Sequence, residues 1–241
     1  MALQGFDLTL SRFGLENLKN GLDLQVTKSG DIAITRDGDL QLGKPCANGM
    51  FRFIERWRQS ECTITELYTP MAHAATSFES LSAARDRGEG PALWQNPQAY
   101  HEVTDSIIES QLVASTLAGS IAVILNSLFH RLKLDLNASE DEWRLATPAF
   151  SGFSLGEIFA AAAANFRHYD EWAAAKSPSA QQLVSMKVLC GLLNMPIKTA
   201  KGFPTIRTNV CGSVLMLISQ GSIETLHQIT VSYAKSLAKY K

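Results

Sequence analysis

The sequence has no closely spaced cysteines. Its four, Cys46, Cys62, Cys190 and Cys211, include no two within 15 residues of each other, which excludes CxxC zinc and redox motifs and fits free thiols in a reducing compartment. It also has no excess of charge: 22 Lys and Arg stand against 23 Asp and Glu, a formal net charge of −1. Nothing global therefore draws it to nucleic acid or to an anionic membrane. No GxxxxGK[ST] phosphate loop and no GxGxxG dinucleotide turn occurs. His73, His101, His130 and His227 are scattered, with no HxxxH, HExxH or Cys/His ligand spacing, so neither a metal nor a cofactor is expected. The opening MALQGFDLTLSRF lacks the basic start and apolar core of a signal peptide. A cytoplasmic location is the expectation.

What is present describes an ordinary globular chain: 241 residues, 46% hydrophobic and 19% charged, enough for one large domain or two small ones. Residues 23–43 give the clearest local signal. DLQVT, DIAIT and DLQLG alternate apolar and polar positions, placing Leu24/Val26, Ile32/Ile34 and Leu40/Leu42 on one face. Lys28-Ser29-Gly30 and Arg36-Asp37-Gly38 separate them, and their glycines supply the positive φ that hairpin turns need. The spacing predicts a three-stranded antiparallel β-meander whose apolar face packs on the helical remainder.

Beyond it, Phe51, Ile54 and Trp57 recur at helical spacing with Arg52, Glu55, Arg56 and Arg58 between them. Residues 79–102 contain Arg85-Asp86-Arg87-Gly88-Glu89-Gly90-Pro91 and read as a surface loop. It divides an N-terminal part, 1–78, from a helical domain, 103–241. A long helix over Asp105–Leu134 contains an uncharged 20-residue run, Ser110–Phe129, long enough to span a membrane. Its serines, Gln111, Thr116 and Asn126 make it a buried core helix instead, so no membrane is expected. Further helices follow: one from the Ser154/Glu157 capping box, then Ala180–Asn194, Asn209–Ser219 and Ile223–Tyr240. Ser139 and Glu142 have the same capping spacing. No internal repeat is visible. The fold expected is mainly α: a bundle of about six helices with a small N-terminal meander.

Three groups of residues bear on chemistry. Gly152-Phe153-Ser154-Leu155-Gly156 matches GxSxG by letter, but an acyl-transfer elbow needs a strand, then the serine, then a helix inside an α/β sheet; here Ser154 reads as a cap. Arg52, Arg56 and Arg58, interleaved with Phe51, Phe53 and Trp57, form a basic–aromatic pattern suited to phosphate and base contact, with an amphipathic helix as the plainer reading. Asn165-Phe166-Arg167-His168-Tyr169-Asp170-Glu171-Trp172 is the third. Asn165, His168 and Trp172 share one helix face and Arg167 and Glu171 another. Polar groups turned toward packing surface need partners, and a histidine there suits proton transfer. The structural alternative is a surface Arg167–Glu171 pair with His168 bonded to a carbonyl or stacked on Trp172.

The Asn165–Trp172 stretch resembles segments of uncharacterised bacterial helical proteins, and the helical setting is similar to HEPN-type domains of toxin–antitoxin and antiphage-defence systems. The chain departs from them in lacking an arginine followed four to six residues later by histidine; Arg167 adjoins His168. That resemblance implies a helical bacterial protein, with RNA as a substrate class. Ser29–Gly43 is similar to β-segments of small phage baseplate proteins. Two functions are therefore expected. The first is a non-catalytic interaction or regulatory protein, a subunit of a bacterial or phage assembly such as a defence system, with a protein partner or a second copy. The second is a HEPN-like, metal-independent RNase in which His168 is the base, Arg167 steadies phosphate, and Asn165 or Glu171 orients the histidine.

Overall fold

The computed structural model describes residues 5–21, 25–36, 38–41, 43–88, 96–175, 177–198, 201–202 and 204–239. Eight α-helices run through them: α1 Phe6–Arg12, α2 Pro45–Asp86, α3 Pro97–Leu136, α4 Glu140–Leu145, α5 Leu155–Ala174, α6 Ala180–Leu192, α7 Cys211–Ser219 and α8 Ile223–Leu237. A 3-10 turn, Glu16–Gly21, follows α1. The chain is thus mainly helical, as its periodicity implies, with eight α-helices rather than about six. The difference comes from two short elements, α1 and α4, that carry too few turns for apolar periodicity to show.

Two helices also reach into the segment read as loop: α2 continues to Asp86 and α3 begins at Pro97, while 89–95 lie outside the described residues. The helix starts match their chemistry. Ser139 and Glu142 close a reciprocal capping box at α4, and Ser179 with Gln182 does the same at α6.

The chain divides into two units assembled from separate segments. One comprises Met1–Thr63, Ile124–Glu157 and Leu226–Lys241; the other comprises Ile64–Val123 and Ile158–Thr225. The core of the first is aromatic. Phe53 of α2 stacks on Phe129 of α3 with ring centroids 6.2 Å apart, Phe129 meets Tyr233 of α8 edge-on at 4.7 Å, and Tyr233 meets Trp143 of α4 at 5.9 Å. The Tyr233 hydroxyl donates to the Trp143 carbonyl at 3.1 Å. Burial pushes the Tyr233 pKa well above its ordinary value.

The second unit contains α3 as far as Val123. Among the described residues α3 is the one helix long and apolar enough to cross a membrane, and half of its most apolar stretch is buried inside the protein. Ala114, Ala118, Ile121 and Ala122, and beyond Val123 Leu125, Leu128 and Phe129, are among its buried apolar residues.

The β-structure differs from the expected meander. The one named sheet among the described residues is a two-stranded antiparallel hairpin, β1 Ala149–Phe150 with β2 Phe153–Ser154, far from residues 23–43. It forms because Ser151 and Gly152 both take positive φ, 50° and 84°, in a tight reversal. The described residues of 25–41 form isolated bridges only, Val26 with Ile32 and Ile34 with Leu40. The reason lies in three hydrogen bonds: Gln25 N–H donates to Gln41 O at 2.9 Å, Gln41 N–H to Ala33 O at 2.8 Å, and Ala33 N–H to Gln25 O at 2.8 Å. The three segments close a ring, so no ladder of consecutive pairs accumulates as it would in a meander.

That ring is built on a repeat of eight residues, contrary to the expectation of none, and the sequence carries it in DLQVTKSG, DIAITRDG and DLQLG. Thr27 N–H bonds Asp31 O and Thr35 N–H bonds Asp39 O; Asp31 N–H returns to Thr27 Oγ1 and Asp39 N–H to Thr35 Oγ1, both at 3.2 Å. Gly30 and Gly38 hold φ of 90° and 86° at matching positions. The described residues of the apolar face are not covered. Val26, Ile32, Ile34 and Leu40 are 64%, 50%, 63% and 52% exposed. Leu24, Asp37 and Leu42 lie outside the described residues.

Candidate functional site

Arg52 holds the ring to α2. It is 7% exposed, and its guanidinium works in three directions. Nε donates to Asn48 Oδ1 at 3.2 Å, one turn back on α2. Nη2 donates to Thr35 Oγ1 at 3.1 Å and to the Leu40 carbonyl at 3.3 Å. Nη1 lies 3.1 Å from Asp39 Oδ2 and 3.6 Å from Asp135 Oδ1. Neither approach is aligned as a hydrogen bond, so the Nη1 donors are charge-balanced but geometrically unsatisfied. A planar fork of five donors is what such a junction requires, and lysine could not reproduce it.

Arg56 completes the arrangement by donating to Asp135 Oδ2 at 2.5 Å. Asp135, near the end of α3 with a side chain 7% exposed, therefore carries two arginines. Arg58 points elsewhere, pairing with Glu55 at 3.2 Å and lying 5.5 Å over the Phe6 ring. The three arginines singled out by the sequence thus do not converge on one phosphate-facing surface. Two meet at a buried carboxylate, and the third packs against α1.

A cavity of about 680 Å³ opens beside this junction. Arg52 and Asp135 form part of its wall, with the amides of Gln41, Asn48 and Asn137. Arg36 and the exposed side chains of Ile34 and Leu134 line it as well. Its size lies in the range of small-ligand sites, usually ~300–1,000 Å³. No spacing rule could have assembled it. Asp135 comes from a helix end in LKLDLN that reads as ordinary amphipathic sequence, and Asn137 takes a left-handed φ of 50° just beyond.

The Asn165–Trp172 cluster separates on α5. Asn165 is fully buried: its Nδ2 donates to the Thr208 carbonyl at 3.2 Å and its Oδ1 accepts from Val210 N–H at 2.9 Å, pinning the approach to α7. Trp172 is buried too. His168, from the same heptad face, is exposed instead, with Nδ1 3.1 Å from Glu171 Oε1. Arg167 Nε donates back to the Ala163 carbonyl at 3.1 Å. Arg167, His168 and Glu171 line a shallow 250 Å³ cleft with Gln181, Gln182 and Ser185 of α6. His168 and Glu171 are brought together; Asn165 is not among that cleft's lining residues.

No family model, curated protein or solved structure matches the chain. The functional reading therefore rests on the geometry of its own residues. Ser154 shows how that geometry decides. It is completely buried, its Oγ accepts from Glu157 N–H at 3.3 Å, and Glu157 Oε2 accepts from Ser154 N–H at 3.0 Å. A nucleophile must present its oxygen at the surface of a site. Ser154 caps a helix instead. Among the described residues no group of three or more His, Cys, Asp or Glu side chains is placed to hold a metal ion.

Proposed function

We propose that this chain is a non-catalytic interaction or regulatory protein, a cytoplasmic subunit of a larger assembly in the bacterial or phage setting that its sequence resemblances imply. One observation carries the reading: Val26, Ile32, Ile34 and Leu40 stand half or more exposed on a ring that three main-chain hydrogen bonds and Arg52 hold in place. Apolar side chains grouped on a protein surface lose their hydration cost when another surface covers them. A protein partner or a second copy meets that need.

The test is a variant with Val26→Ser and Ile32→Ser, compared with wild type by crosslinking and mass spectrometry in its own cell. A defined partner, or a dimer, crosslinked through residues 26–40 in wild type and lost in the variant supports the reading. Identical crosslink patterns from two equally folded proteins would end it.

A second reading, a HEPN-like RNase, draws support from the exposed His168–Glu171 dyad beside Arg167. Glu171 at Nδ1 leaves Nε2 as the nitrogen for proton transfer. RNA cleavage by wild type and not by His168→Ala is its test, and equal cleavage by both would dispose of it.

A further inference from the structure

The cavity beside Arg52 has a wall chemistry that selects its occupant. Buried donors are almost always satisfied, and an exception calls for a missing partner. Arg52 is 93% buried, its relative exposure being 7%, yet the two donors on Nη1 lack an aligned acceptor. The cavity that Arg52 lines also receives Arg36, which is exposed. Around the cavity three guanidiniums, Arg36, Arg52 and Arg56, stand against two carboxylates, Asp135 and the Asp39 carboxylate 3.1 Å from Arg52 Nη1, which leaves a surplus positive charge. Asp135 is itself held by Arg56 at 2.5 Å, so its neutralising capacity is shared outside the cavity. An incoming carboxylate would supply the aligned acceptor that neither Asp39 nor Asp135 gives Nη1 and match the surplus charge.

The remaining wall narrows the ligand further. Gln41 and Asn137 carry primary amides, each offering a donor and an acceptor in the pattern that pairs with a peptide group. Ile34 and Leu134, each 63% exposed, are positioned to take apolar side chains. A small dicarboxylate would use the arginines and leave both the amides and the apolar side chains idle.

From this wall we infer that the cavity is a recognition site for a short extended peptide of a partner protein, carrying one carboxylate beside apolar residues. The carboxylate meets Arg52 Nη1 and Arg36, the peptide groups meet Gln41 and Asn137, and the apolar side chains lie on Ile34 and Leu134. The inference deepens the interaction reading above and rests on it, because it supplies the partner with a chemical signature.

The experiment uses the full chain and fluorescein-labelled hexapeptide pools. The fixed third position is Glu, Gln or Lys, and the other positions are mixed apolar and small residues. Anisotropy titrations should show the Glu pool binding at least ten times tighter than the Gln or Lys pool. Arg36→Glu, at an exposed position, should abolish that preference with an unchanged circular-dichroism spectrum. Leu134→Ser should weaken peptide binding while leaving the affinity for free glutarate unchanged. Equal titration of the Glu and Lys pools, no saturable binding of any pool, or an unaltered Arg36→Glu variant would overturn the inference. So would glutarate binding as tightly as the Glu pool, which would make the ligand a small acid. Val26 and Ile32 do not line the cavity, so the two proposals fail separately. If crosslinking depends on Val26 and Ile32 while no pool binds, the peptide site alone falls. If the Glu pool binds while crosslinking ignores those residues, the exposed-face reading alone falls.

Discussion

Replacing Gly156 with alanine should destabilise the protein even though alanine is the better helix former. Gly156 is the second residue of α5, and on propensity alone the change would gain up to about 1 kcal/mol. A Cβ there, however, would sit 2.5 and 2.6 Å from Cζ2 and Cε2 of Trp143 and closer still to the Tyr233 hydroxyl. These neighbours cannot step aside cheaply. Tyr233 is fully buried and bonded to the Trp143 carbonyl, and Trp143 is only 7% exposed. Overpacking a closed core costs about 1–3 kcal/mol, and overlap with both the Trp143 ring and the Tyr233 hydroxyl puts this site at the upper end. The net loss is about 2 kcal/mol, or a fall in Tm of about 4–8 °C for a chain of this length. Gly212→Ala is the control, because its nearest neighbour would be the Ala114 Cβ at an ordinary 3.5 Å. It should melt at or slightly above wild type. Differential scanning calorimetry of both variants decides the matter: a Gly156→Ala protein at least as stable as wild type would refute the packing argument.

Three further outcomes follow from the same geometry. Asn165→Ala should cost about 2–3 kcal/mol in urea unfolding, since it strands the buried Thr208 carbonyl and Val210 N–H together; a change within error would show that water replaces the amide. The Glu142 carboxyl is held down to about 2 by the Lys239 ammonium and by the Ser139 backbone and hydroxyl. A depressed carboxylate contributes stability that is present above its ordinary value of 4.5 and is lost as pH falls toward 2. Thermal melts of Glu142→Gln should therefore differ from wild type at pH 6 and converge with it near pH 2, and a pH-independent gap would refute the assignment. Burial pushes the Cys211 thiol up to about 12 and raises that of Cys190. Ellman's reagent at pH 8 should therefore label neither in the native protein and both after guanidinium unfolding, and rapid native labelling mapped to Cys211 would contradict its enclosure.

The helices were legible in advance because their signals are local. The Ser139/Glu142 and Ser154/Glu157 boxes close within one turn of chain, and the helix starts at Leu155, Ala180 and Ile223 follow from caps and breakers a few residues away. The turn glycines Gly30 and Gly38 were legible for the same reason, since positive φ is a demand on one residue. The β-ring does not follow from strand alternation, which describes which side chains share a face and not which N–H finds which carbonyl. Gln25, Ala33 and Gln41 carry the answer in main-chain bonds that any residue could make.

Composition and spacing alone therefore determined the helical class, the helix boundaries set by caps, the free thiols, and the absence of phosphate-loop and dinucleotide-turn motifs. Tertiary structure decided where polar side chains ended. It placed Asn165 inside and His168 outside, three residues apart on one helix, because only one of them met the Thr208–Val210 backbone. It also turned Arg52 from a phosphate candidate into the clasp between α2 and the ring, by bringing Thr35, Leu40 and Asp135 to it from distant parts of the chain. A charged side chain is committed by whatever carbonyl or carboxylate lies within about 3 Å, and chain separation carries no information about that distance.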